Sequence, residues 1–332
     1  MIRLSIRLAG VAALVALSLL VFEASAQQQV PPAPAQDSSA APSAPAPAAV
    51  PAFPKPDPAN FTAATPTKEA VDAFLRVLWG YDDTRMWQVW AIQKTPVEGI
   101  SKVLILAGDR TGKQKPMTAE FFALPDGKHI FADNDIVPFG EHPFAEYRAQ
   151  LQQRADGFYR GSAMKDLELV EFADFQCPHC KEAQANMDKL AVDFPKARIV
   201  FQSLPLPQHP AAANAAAYGI CVGKEGGSNA FFTFAAAVYD GQDGLATADG
   251  ATLTLNSAVV KAGLDPAKIA SCAATPEVVA QVHASVKLAQ DLDINQTPTL
   301  MVNGRQVPLG ALSYDVLKQI IQYQEKLDGI AP

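Results

Sequence analysis

The sequence predicts an α/β domain built on a mixed sheet, with a smaller α+β module in front of it, and three observations carry that reading. Residues 163–332 run strand–helix–strand, then a long helical stretch, then helix–hairpin–helix, an order that places helices on both faces of a mixed sheet. Cys177-Pro178-His179-Cys180 stands where the apolar run 167–172 gives way to a helical pattern, so two thiols fall on the first turn of a helix that leaves a buried strand. Between 67 and 140 one helical pattern is followed by three strand-like pieces, the last of them a hairpin.

Taken in order, residues 1–26 read as an export signal. Arg3 and Arg7 form a basic start, 8–22 is uncharged and apolar, and Ala24-Ser25-Ala26 is a small-residue cleavage site. The run is short of the roughly 20 residues that a membrane span needs, and an uncleaved anchor is the alternative. No cysteine follows the cleavage site, so lipid attachment is not expected. Residues 27–66 are dominated by Gln, Ala, Pro and Ser and hold too few large apolar groups for a core. They read as an extended spacer, disordered as a linker.

Order is expected from Thr67, which can cap a helix carrying Val71, Phe74, Leu75 and Leu78 at helical spacing. Strands follow at 87–92 and 102–106, then a hairpin of 118–124 and 128–132 around Pro125-Asp126-Gly127, where Asp-Gly favours a tight turn. Residues 143–156 read as a polar connecting helix within a joint at 141–162, with Gly157 and Gly161 as its hinge. The larger domain, 163–332, is expected as strand 167–172, helix 178–193, strand 198–203, an Ala-rich helical insertion at 209–275, helix 276–293, strands 299–302 and 306–309 around Asn303-Gly304, and a closing helix 313–327.

A formal charge of −7 with scattered basic residues gives no footprint for nucleic acid. The chemistry lies in the cysteines. A thiol on the first turn of a helix meets unpaired backbone N–H groups and the positive end of the macrodipole, both of which favour thiolate. In such Cys-x-x-Cys sites the thiol pKa falls to roughly 3.5–7. A zinc site needs a second close pair, but the other two cysteines, Cys221 and Cys272, stand alone; a haem-attachment site needs histidine after Cys180, where Lys181 stands. No metal and no organic cofactor is therefore expected. Cys177, nearer the helix start, is the expected attacking thiol and Cys180 the resolving one. His179 is read as a thiolate stabiliser through its ring N–H and partial charge, against a reading as surface filler. Cys221 and Cys272 read as a structural bridge within the insertion, a resolving role being the alternative. His129, His142, His209 and His283 show no ligand spacing and read as structural or solvated. Trp79, Trp87, Trp90 and Tyr81 read as an ordinary small core or as an apolar surface for a second subunit or a client.

With those residues in place, the larger domain resembles the thioredoxin fold with a helical insertion, as in the bacterial Dsb family. The Cys-Pro-His-Cys motif, Glu171 six residues before Cys177, and Thr297-Pro298 before a strand ending in Asn-Gly carry the resemblance. It implies that Glu171 is a buried acid moving protons to and from the second cysteine, where the bare strand pattern also allows an outward residue. It further implies a cis peptide before Pro298, which packs beside the disulfide while its neighbours pair with substrate backbone. Pro96-Val-Glu-Gly-Ile-Ser-Lys-Val and Asp126-Gly-Lys-His-Ile-Phe resemble the cystatin-like dimerisation domain of the isomerases DsbC and DsbG. The Pro-His dipeptide leans toward the oxidase DsbA, and Thr297 toward the isomerases.

The expectation is an exported, periplasmic thiol–disulfide oxidoreductase that isomerises or introduces disulfides. Its expected partners are unfolded or misoxidised secreted proteins, a membrane redox protein and a second copy joined through the N-terminal domain. The alternative is a client-binding envelope chaperone whose cysteines are incidental.

Overall fold

A computed structural model describes residues 53–112 and 115–331. The export signal at 1–26 and most of the 27–66 spacer lie outside the described residues. After a 3₁₀ turn at Pro58–Asn60, helix α1 spans Lys68–Trp79; the Thr67 hydroxyl accepts from the Ala70 N–H and so caps it. Strands β1 (Arg85–Lys94), β2 (Ser101–Asp109), β3 (Met117–Ala123), β4 (His129–Ala132) and β5 (Asp135–Pro138) follow and form one sheet in sequential order. In β2 every second residue is buried, Val103, Ile105 and Ala107 among them, as a sheet with one covered face requires. The fifth strand was not expected from the sequence. It is set by Asp133 and Asn134, whose φ values of 49° and 71° make the tight turn that Asp and Asn tolerate best.

Helix α2 (Ala145–Arg154) precedes β6 (Phe158–Gly161), β7 (Glu168–Ala173), α3 (Pro178–Asp193) and β8 (Arg198–Ser203). Helices α4 (Ala212–Asp240), α5 (Ala248–Lys261) and α6 (Pro266–Ala273) make up the insertion; α4 is interrupted at Gly227, where φ is 76°. Helix α7 (Pro276–Asp291), strands β9 (Thr299–Val302) and β10 (Arg305–Pro308), and α8 (Tyr314–Leu327) complete the chain. The second sheet runs β10-β9-β7-β8-β6, with β7 parallel to β8 and antiparallel to β9.

All six residues of β7 are buried, as a central strand covered on both faces requires. Leu169 joins a core with Met187, Leu190, Leu317 and Ile321 from α3 and α8. Val170 and Phe172 join a second with Leu151 from α2, Leu288 from α7 and Leu292 just after it. Burial of each such side chain contributes about 1.5–3 kcal/mol. A third core fills the insertion and takes in Phe175, Cys177 and Cys180.

Two differences from the sequence reading concern boundaries. Residues 158–161 pair with β8 as an edge strand, so Gly157 and Gly161 are not a hinge. A Cβ at either would overlap the carbonyl of Phe201 or of Ala197, which is why glycine stands at both places. Helix α1 clusters with the residues of the second sheet, not with β1 to β3. Its last carbonyls are held there: the Arg305 guanidinium donates to the carbonyls of Val77 and Leu78, and the Tyr323 hydroxyl donates to that of Arg76 at 2.7 Å.

Candidate functional site

Strand β7 delivers the chain to a three-residue turn, Asp174-Phe175-Gln176, and Phe175 pins that turn. Its ring lies 5.0 Å from Phe201, 5.8 Å from Phe234 and 5.6 Å from Tyr239. Cys177 then sits in extended geometry (φ −78°, ψ 121°) as the N-cap of α3, with Pro178 at the first helical position, where a missing N–H costs nothing. No side chain caps this helix. The first-turn N–H groups of His179 and Cys180, the latter also donating to the Cys177 carbonyl at 3.1 Å, add to the stabilisation of the Cys177 thiolate.

Cys177 and Cys180 are free thiols, exposed by only 4% and 0%. The two hardly differ in exposure; what separates the two sulfurs is electrostatics. The Cys177 thiol is drawn down from 9.0 to about 5, chiefly by the hydrogen bond from the Cys180 side chain, then by Thr297 and the backbone N–H groups of Cys180 and His179. Burial and the neighbouring Cys177 push the Cys180 thiol far up. One thiol of the pair is poised as thiolate at neutral pH and the other is held protonated.

The Thr297–Pro298 peptide is cis, and the Thr297 carbonyl lies 3.5 Å from the Cys177 Sγ. Pro298 is buried and leads into β9. His179 is turned outward: its ring Nδ1 meets the Glu182 carboxylate at 3.1 Å, and the side chain is 71% exposed. That carboxylate raises the imidazole pKa first, with the Cys177 charge a smaller contribution. His179 thus reaches Cys177 at short range through its backbone N–H and at longer range through its charge.

Glu171 is 3% exposed, and burial raises its pKa to about 7. The Gln184 amide donates to Glu171 Oε1 at 2.9 Å and to the Cys180 carbonyl at 3.2 Å, so one side chain ties the acid to the resolving cysteine. Glu168, equally buried, points the other way and is neutralised by Arg198 at 3.2 Å. Cys221 and Cys272 are joined by a disulfide that links α4 to α6. Among the described residues no group of three or more His, Cys, Asp or Glu side chains is placed to hold a metal ion.

Four residues of this neighbourhood escaped the sequence reading. Gln242 donates to the carbonyls of Phe175 and Cys177, both at 2.9 Å, and so fastens the turn to the insertion. Gln184 is the bridge just described. Asp174 and His209 form a pair at 2.8 Å beside Cys180. Gln242, Gln184 and His209 carry no local sequence signal, since each acts across 13 to 67 residues; Asp174, three residues before Cys177, is the one that its position alone flags.

A Cys-x-x-Cys turn at a helix start, a buried acid on the preceding strand and a cis-proline loop against the sulfur define a thioredoxin-fold redox site. The family model described as thioredoxin matches residues 154–323, just over half of the chain, and the chain belongs to that family. Among curated proteins it is similar to the Na(+)/H(+) antiporter NhaA 3 of Salinispora tropica, 31% identical over 154 residues, covering 44% of this chain and 22% of that protein. The Na(+)/H(+) antiporter NhaA 1 of Mycolicibacterium vanbaalenii is 31% identical over 149 residues, 44% of this chain and 23% of that protein. The chain spans under a quarter of the length of these relatives. Similar solved structures include a thioredoxin-like oxidoreductase from Silicibacter pomeroyi, with 26% identity, TM-score 0.45 and coverage of 54% of this chain and 98% of that one. The thiol-disulfide exchange protein alpha-DsbA2 from Wolbachia pipientis has 20% identity, TM-score 0.46 and coverage of 54% and 96%.

Proposed function

We propose that this protein is an exported oxidoreductase that introduces or rearranges disulfides in secreted proteins through Cys177 and Cys180. The observation that carries the reading is the split between the two thiols, one drawn down to about 5 and its neighbour pushed up. Such a split suits a nucleophile and a resolving group that act in turn. In the reducing direction, Cys177 thiolate attacks a client sulfur and expels the other client thiolate. Cys180 then loses its proton toward Glu171 and attacks Cys177 Sγ, which closes the internal disulfide and frees the second client thiolate. The donor direction is the reverse. Client thiolate attacks Cys177 Sγ, Cys180 leaves and takes up a proton, and a second client thiolate displaces Cys177 thiolate. Stabilising the Cys177 thiolate favours the reduced pair and so supports donation.

In this reading His179 adds positive charge beside the thiolate, and the backbone at Thr297 and Pro298 receives the client chain. The clients are unfolded or misoxidised secreted proteins, and a membrane redox protein resets the pair. The N-terminal module joins two copies. The Cys221–Cys272 bridge is structural.

The test is equilibration of the full chain with glutathione, followed by refolding of a scrambled, disulfide-bonded client. Exchange that disappears in Cys177→Ala supports the reading, and the alkylation state of freshly extracted protein gives the direction. Aggregation suppression that survives replacement of both Cys177 and Cys180, with no exchange by the wild type, points instead to a chaperone.

A further inference from the structure

Asp174 holds both redox cysteines by its main chain. Its N–H donates to Cys180 Sγ at 3.4 Å, and its carbonyl accepts from the Cys177 N–H at 3.1 Å. The orientation of that main chain is fixed by the side chain, which is fully buried and accepts three hydrogen bonds. Oδ1 takes the Gln176 N–H at 2.7 Å; Oδ2 takes the Leu206 N–H and the His209 ring Nδ1–H, both at 2.8 Å. The Gln176 bond is local to the turn, whereas the other two tie the turn to the 205–210 loop, and His209 supplies the only side chain of the three donors. The His209 side chain is 20% exposed and lines a cleft of about 450 Å³ with Leu206, Pro207, Asn214, Val282 and His283. A continuous chain of contacts thus runs from that cleft through the imidazole and the buried carboxylate to the Asp174 N–H and the resolving sulfur.

We infer that His209, acting through Asp174, is a positioning residue for Cys180 that favours the reduced form of the redox pair. The inference rests on the redox reading above. Without the imidazole the carboxylate loses one of its two anchors in the 205–210 loop, the Asp174 N–H swings from Cys180 Sγ, and the thiol loses its donor. A hydrogen bond of this kind is worth about 0.5–1.5 kcal/mol net, so the equilibrium should move about two- to twelvefold toward the disulfide.

The experiment measures the full chain against glutathione. Two glutathione thiols are oxidised to one glutathione disulfide while the Cys177–Cys180 bond breaks and takes up two electrons; at neutral pH one of the two protons released goes to Cys180 and the other to solvent, because Cys177 stays a thiolate. His209→Ala should shift that equilibrium about two- to twelvefold toward the protein disulfide. The pH inflection of Cys177 alkylation should stay in place, because the groups that stabilise that thiolate are Cys180, Thr297 and the helix N–H groups. Since the imidazole opens on the cleft, free imidazole should restore the wild-type equilibrium. His209→Gln, which keeps a donor for the carboxylate, should match wild type, and His209→Leu should show the same shift as His209→Ala and gives the reading where the alanine variant fails to fold. An unchanged equilibrium in both apolar variants overturns the inference. So does a shift that moves Cys177 equally and that imidazole does not reverse, since that marks collapse of the loop. A wild type that does not exchange with glutathione overturns the redox reading, and this inference with it.

Discussion

The sharpest consequence of the site is the titration of Cys177. With its pKa drawn from 9.0 to about 5, the thiol is about 99% thiolate at pH 7 instead of about 1%. That gain of about 100-fold hardly accelerates attack, because nucleophilicity falls as basicity falls; with a Brønsted slope near 0.4–0.5, four units cost about 40- to 100-fold. The effect is thermodynamic. Stabilising the reduced form about 100-fold raises the potential by about 60 mV over an unperturbed pair. The sign follows from linkage: a thiol lowered in the folded, reduced state adds stability that is complete above about pH 9 and lost as the pH falls to about 5. The perturbation is Cys180→Ala, which removes the largest cause of the shift. A hydrogen bond to a charged acceptor contributes about 1.5–3 kcal/mol, or ~1–2 pKa units, so the inflection should rise from about 5 to about 6–7. Alkylation of the reduced protein by iodoacetamide across pH 4–10, with the modified residue identified by mass, reads this directly. A wild-type inflection above pH 8, or one that Cys180→Ala leaves in place, refutes the reasoning.

Three further outcomes are expected. Glu171, raised to about 7 by burial, makes the fold lose stability as pH rises from about 4.5 to 7; Glu171→Gln should remove that slope, gain up to about 3 kcal/mol at pH 8 in urea unfolding, and slow release of client from a mixed disulfide. Arg305→Met should cost about 2–4 kcal/mol, since it strips donors from Gln324 and the α1 carbonyls of Val77 and Leu78; Arg305→Lys should recover little of it, because one ammonium does not span three acceptors. Replacing Cys221 and Cys272 together by Ser should cost about 4 kcal/mol, the chain-entropy value for closing a loop of 51 residues, with the Cys177 inflection unchanged.

Much of the larger domain is legible because its period changes at chemically marked points. Helix α3 and strand β8 fall where the pattern places them, since Pro178 fixes one end and an all-apolar strand core the other. Strand β6 was not legible: Phe158-Tyr159-Arg160-Gly161 is short, lies at an edge, and carries glycines that read as a hinge until the carbonyls of Ala197 and Phe201 are seen against them. The assignment of α1 failed for a similar reason. Its apolar face announces a helix but not a partner, and the partner is a buried guanidinium more than 200 residues away. The site divides likewise. Cys177 and Cys180 announce themselves by spacing and Pro298 by the family resemblance, whereas Gln184, Gln242 and His209 are ordinary polar residues that folding makes specific.

Strand β7 and its turn show how folding assigns different work to similar residues. Glu168, Glu171 and Asp174 recur at intervals of three, so a strand period of two sends neighbouring acids to opposite faces. Each is buried, and an isolated buried carboxylate is costly unless something meets it. Glu168 meets Arg198, its register partner on β8, and is held by that ion pair. Asp174 meets two N–H groups and an imidazole, and so serves as an anchor. Glu171 meets no cation at bonding distance among the described residues, only the neutral Gln184 amide. Burial raises it to about 7, on the face of β7 that leads to Cys180. In the proposed mechanism Glu171 carries the proton because no counter-charge meets it: supplying one, by Gln184→Lys, should drive Glu171 back toward an ordinary carboxylate and slow the step that deprotonates Cys180. If that variant resolves mixed disulfides at the wild-type rate across pH 6–8, Glu171 is not the group that takes the proton.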